Sequence, residues 1–91
     1  MRIEGIIWLD AIVEKLERKH HVSAAEVEEI FSGKPRFRYV ERGFKRGEDV
    51  YAAIGKTDAG RRLFVFFVYK PRTREALVIS ARGPSRRERN L

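Results

Sequence analysis

The sequence predicts an α+β fold in the order β-α-α-β-β-β-β-α. Two N-terminal helices pack on a mainly antiparallel sheet, and a short helix closes the chain. Three observations predict it. Apolar residues recur at helical spacing only before Gly33. Beyond Pro35 the pattern changes to runs that alternate or are wholly apolar, each of strand length. Those strands follow one another through short turns, so hairpin connections are the simplest topology.

Ile3 to Trp8 reads as the first strand, interrupted by Gly5. Asp10 is placed to cap the helix that follows, in which Leu9, Ile12, Val13 and Leu16 recur at helical spacing up to His20-His21. Ser23 and Glu26 have the spacing of a capping box and open a second helix, with Val27, Ile30 and Phe31 as its apolar stripe. Gly33 and Pro35 stop it.

Arg36 to Val40 alternates charge and aromatic, which puts Phe37 and Tyr39 on one face of a strand. Glu41 to Glu48 reads as a loose polar loop, and Val50 to Gly55 as a strand. Thr57 to Gly60 is a turn into Leu63–Tyr69, whose length and β-branched or aromatic content mark a buried central strand. Leu77 to Arg82 is the last strand, with Val78, Ser80 and Arg82 expected on one face. Ser85 and Glu88 repeat the capping-box spacing and start an arginine-studded helix.

Residues 1–91 are expected to form a single domain with a small core. Twenty Lys and Arg against thirteen Asp and Glu leave a net charge of +7, which favours polyanionic partners. The absence of cysteine rules out disulfides and thiol catalysis and fits a reducing, cytoplasmic setting. No apolar run approaches the roughly 18 residues of a membrane span. The two adjacent histidines lack a third ligand at metal spacing, so neither a metal site nor a cofactor is expected. Gly43, Gly47 and the intervening Lys45-Arg46 lack the flanking strand and helix of a phosphate-binding loop.

Arg82 ends an otherwise apolar strand, and a fixed, always-charged fork on a rigid element suits phosphate recognition. A surface ion pair with Glu26 or Glu29 is the alternative. Arg86, Arg87 and Arg89 read as phosphate contacts or as a solvated helix face. His20 and His21 offer the only imidazoles, the side chains whose ordinary pKa lies nearest neutrality, and either could instead satisfy carbonyls at a helix end. Lys19 supplies a neighbouring cation, or is simply a solvated lysine. Arg36 and Arg38, alternating with Phe37 and Tyr39, suit either a base-stacking platform or a core strand, the latter preferred.

Four sets of residues, in this order and spacing, resemble the BrnT family of ribonuclease toxins from type II toxin–antitoxin pairs. They are Trp8 with Lys19-His20; Val22-Ser23 and Glu26 to Phe31; Arg46-Gly47-Glu48 ahead of Tyr51 to Gly55 and a Gly60-Arg61 turn; and Ile79 to Arg82 followed by Arg86-Arg87-Glu88-Arg89. The resemblance implies a RelE-like fold and a metal-independent endoribonuclease. It also implies RNA as substrate and a cognate DNA-binding, BrnA-like antitoxin as partner, with a dimer of the chain in such an assembly as a further expectation. Lys19, His20 and Arg82 would then face a common RNA groove, joined by Glu48 or Tyr51, with Glu48 an alternative base. Arg46, Tyr51, Arg86, Arg87 and Arg89 would bind RNA. Leu9 and Leu77 stand where the family usually has Asp and Arg, which keeps open a second reading: a nucleic-acid-binding or protein-interaction module of the same fold without catalysis.

Overall fold

A computed structural model describes residues 1–90. Its elements run β1 (Gly5–Ile7), α1 (Asp10–Lys15, continued as a π-helical turn over Leu16–His20), α2 (Ala24–Ser32), β2 (Arg36–Glu41), β3 (Val50–Lys56), β4 (Arg62–Lys70) and β5 (Glu75–Arg82). The strands form one sheet in the order β1-β5-β4-β3-β2. β2 to β5 pair antiparallel, as consecutive hairpins must, while β1 runs parallel to β5 at the edge.

Both helices lie on one face. Leu16, Val22, Val27 and Ile30 pack there with Leu63, Val65 and Phe67 of β4, Ala53 of β3 and Ala76, Val78 and Ala81 of β5. Each fully buried Leu, Ile, Val or Phe among them contributes roughly 1.5–3 kcal/mol, so this layer holds the fold. Trp8, Phe31, Phe37 and Tyr51 pack around it as half-buried neighbours.

Several local readings change against the structure. Leu9, not Asp10, is the N-cap of α1, and Asp10 sits in the first turn, where its charge favours the helix dipole. The capping box of α2 is made in full: the Ser23 hydroxyl accepts from the Glu26 N–H at 3.1 Å, and Glu26 accepts from the Ser23 N–H at 3.0 Å. The helix expected from Ser85 is a single 3-10 turn, Glu88–Asn90, although Ser85 and Glu88 do exchange the two bonds of a capping box. The 42–48 loop is pinched rather than loose. Its Gly43 N–H donates to Asp49 Oδ1 at 3.2 Å and its Glu48 N–H to the Lys45 carbonyl at 3.0 Å. A Cβ on Gly43 would collide with the Glu48 carbonyl oxygen, so that closure requires glycine.

The most consequential change lies in β5. Phe66 pairs with Ser80 and Phe67 with Val78, so Ile79 is an extra residue, a β-bulge. Val78 therefore points into the helix-covered core, while Ser80 and Arg82, opposite Phe66 and Phe64, point to the other face. Simple alternation would have kept Val78 and Arg82 together. The bulge separates them.

Candidate functional site

The face of the sheet away from the helices is not covered by another layer of secondary structure. Its middle is apolar, from Val50, Ala52 and Ile54 of β3, Phe64, Phe66 and Val68 of β4 and Leu77 and Ile79 of β5. Arg36 and Arg38 join it on β2, opposite Ile54 and Ala52. Cations therefore border an aromatic floor.

Arg82 occupies one end. Its guanidinium carbon stands 5.2 Å from the ring centroids of both Phe64 and Phe66, within cation–π range. Its two terminal nitrogens donate to the two oxygens of Glu88, at 2.6 and 3.1 Å. Glu88, rather than Glu26 or Glu29, is the partner. The hydrogen bond from Arg82, followed by that from the Ser85 N–H, pulls the Glu88 carboxyl down to about 2. The same hydrogen bond pushes Arg82 further into its charged form. The fork thus stands over two rings with its bidentate edge turned to a carboxylate, a pairing that phosphate oxygens can also make. Arg86, Arg87 and Arg89 are exposed on the segment that carries Glu88.

Glu48 lies at the other end of this face. Lys70 donates to its Oε1 at 2.8 Å, and that bond lowers the Glu48 pKa. A carboxylate held ionised in this way is a weaker base than an ordinary one. Lys70 is six positions from Phe64 on β4, about 20 Å at the usual rise, and Phe64 is opposite Arg82. Glu48 and Arg82 therefore cannot act on one bond. Arg46 is exposed in the loop beside Glu48.

Tyr51 does not share this face. It pairs with Phe67, and its ring stacks on Phe67 with centroids 6.1 Å apart, edge-on to Tyr39 and Tyr69. Lys19 and His20 close the helix that packs on the opposite face from Arg82. Among the described residues no hydrogen bond or ion pair joins either of them to Arg82 or Glu48. The expected convergence on one groove is therefore not built by direct contact.

What anchors the Lys19-His20 segment is a residue that sequence reasoning gave no role in the site. Arg61 donates to the His21 carbonyl at 2.7 Å and to the His20 carbonyl at 3.0 Å. These are last-turn carbonyls that helix geometry leaves without partners, and a guanidinium, not an imidazole, satisfies them. Arg61 also reaches both oxygens of Glu26 at 3.2 Å. Glu26 is held below the ordinary carboxylate range, first by the Ser23 N–H and then by Arg61. Arg61 begins the return from the β3–β4 turn, where Gly60 takes φ +89°. The histidine end of the helix is thereby tied to the end of the sheet where Arg82 emerges, but behind it.

The family model described as "Ribonuclease toxin, BrnT, of type II toxin-antitoxin system" matches residues 8–88. The chain belongs to the BrnT family. Membership makes it a member of a ribonuclease toxin family whose type II systems imply an antitoxin partner and RNA as substrate. No curated protein matches the chain. The match begins at Trp8 and ends at Glu88, so it spans both the pinned Lys19-His20 segment and the Arg82–Glu88 clasp.

Proposed function

We propose that the chain is a metal-independent endoribonuclease toxin of RelE-like fold, and that its open sheet face at the Arg82 end receives the scissile phosphate. One observation carries this reading: the Arg82 fork lies over Phe64 and Phe66 and grips the Glu88 carboxylate with two bonds. A phosphate offers the same pair of oxygens. In cleavage the 2′-hydroxyl attacks the adjacent phosphorus to form a 2′,3′-cyclic phosphate, and the 5′ oxygen leaves, taking a proton from water. Arg82 then binds the nonbridging oxygens as negative charge builds on the phosphorane, a task suited to a preorganised donor pair. His20 takes the proton from the 2′-hydroxyl and Lys19 adds a cation where the RNA passes round the end of the sheet, the end to which Arg61 ties the His20 and His21 carbonyls. Arg86, Arg87 and Arg89 hold flanking phosphates without reading sequence. A BrnA-like, DNA-binding antitoxin would neutralise the +7 surface, with the pair acting in the cytoplasm and the toxin dimeric within it.

A second reading rests on one specific observation. Lys19 and His20 sit on the helix layer, away from the Arg82 side chain. If they never reach the phosphate, the same face binds RNA without cutting it. Incubating wild type and Arg82→Ala with total RNA, with and without chelator, separates the two. Cleavage that persists in chelator and falls about 10²–10³-fold in the variant is the expected result. RNA left intact by the wild type in every buffer overturns the enzyme in favour of the binding module.

A further inference from the structure

We infer that the cleft under the 42–48 loop is a pocket for one unstacked guanine of single-stranded RNA. This makes it the base-selecting subsite of the surface proposed above, and it rests on that reading. The cleft encloses about 620 Å³, within the range of small-molecule sites. Its floor is Val50, Val68, Leu77 and Ile79, and its polar end is the Glu48–Lys70 pair. Phe44 stands at the mouth with its side chain wholly exposed. A lone exposed ring beside an apolar floor is what an extruded base stacks on.

The polar end selects the base. Lys70 engages only Oε1 of Glu48, which leaves the second carboxylate oxygen free to accept and two ammonium protons free to donate. Guanine presents two adjacent donors, N1–H and N2–H, beside the acceptor O6. A carboxylate takes both donors in parallel while the ammonium reaches O6. Adenine sets an acceptor next to its single amino group. Cytosine offers one amino donor beside two acceptors, and uracil a single N–H between two carbonyls. Each of these turns a lone pair toward the carboxylate. The ionised state of Glu48 follows from the Lys70 contact, so the acceptor is present at neutral pH. The mouth is formed in advance, because Gly43, Asp49 and the Lys45–Glu48 turn fix the loop, and preorganisation favours affinity. Arg42 and Lys45 on the same loop supply cations for the phosphates on either side.

The test uses uncleavable, 2′-O-methylated oligouridines carrying one guanine or one adenine, with binding read by fluorescence anisotropy. Wild type binds the guanine oligonucleotide roughly tenfold more tightly, the size of one good bidentate contact. Glu48→Gln, which swaps an acceptor for a donor, brings the ratio close to one. Phe44→Ala, at a fully exposed position where folding is not at stake, weakens both oligonucleotides together and keeps the ratio. Equal binding of the two oligonucleotides by wild type, or a preference that survives Glu48→Gln, overturns the pocket. Failure to cut unmodified RNA bears on the nuclease reading alone, because the binding ratio is measured without cleavage. Failure to bind either oligonucleotide removes both.

Discussion

The helix-covered face of the sheet and its open face are made from alternate residues of the same strands, and both are apolar in the middle. On the covered face, Val65, Phe67, Val78 and Ala81 have no exposed surface at all, and Phe31 and Phe37 meet Phe67 edge-on at 5.3 and 6.0 Å. On the open face, Ala52 and Phe64 are buried, but Phe66, Val68 and Leu77 stay half-buried, and Glu48 and Arg82 at its two ends are drawn into ion pairs. The first arrangement is complete without a partner. The second keeps cations and aromatic surface in reach of solvent, which is the composition of a contact surface for a polyanion.

The sharpest way to break this comparison is to remove one ring from each face. Phe67→Ala should cost about 3–5 kcal/mol, the usual range for a fully buried phenylalanine. Phe66→Ala, half-buried and one position away, should cost roughly 1–2 kcal/mol while weakening the support of Arg82. Urea unfolding curves at constant slope measure both. Equal losses would mean that the open face is core in its own right.

How much of this was legible in the sequence depends on the range of the interaction. The α2 capping box was readable because Ser23 and Glu26 lie three residues apart and answer each other locally. The strand order after Pro35 was readable because hairpins join neighbours. Pairs that span the sheet were not. Glu48 and Lys70 are 22 positions apart, and Arg61 and His20 are 41, so neither partner could be named before register was known. Tyr51 was expected at the RNA surface, yet its face is decided by pairing with Phe67. The terminal helix was over-read because a capping box starts a turn without guaranteeing a second one. Arg82 is expected from alternation to share a face with Val78 and Ser80, and only the pairing with Ser80 survives, because alternation alone ignores the extra residue at Ile79.

That extra residue offers the next test. Deleting Ile79 should leave Val78, Ser80, Ala81 and Arg82 in uninterrupted alternation, with Ser80 and Arg82 still opposite Phe66 and Phe64. The variant is expected to fold, to lose roughly 1–2 kcal/mol for a half-buried isoleucine, and to keep any RNA cleavage dependent on Arg82. Its effect on the cleft floor, where Ile79 is a wall, should be larger than its effect at the Arg82 end. A variant that unfolds would show instead that the twist added by the bulge is needed for the sheet to accept its helices.

The smallest effect separates the two jobs of Glu88, which clasps Arg82 and stands at the position proposed for the phosphate. Its carboxyl is pulled down to about 2 in the folded chain, first by Arg82 and then by the Ser85 N–H. The ordinary glutamate value is near 4.5. A group depressed on folding stabilises above its unfolded pKa and loses that contribution as pH falls through the folded one. Wild type should therefore melt slightly above Glu88→Gln at pH 7, and the gap should close between about pH 4.5 and 2. RNA affinity at neutral pH should move the opposite way, rising in Glu88→Gln because the fork no longer has a competing carboxylate within 2.6 Å. Stability and binding changing in opposite directions is the signature of a residue that stands where the ligand belongs. If both fall together, Glu88 positions Arg82 for phosphate rather than competing with it, and the clasp belongs to the binding surface itself.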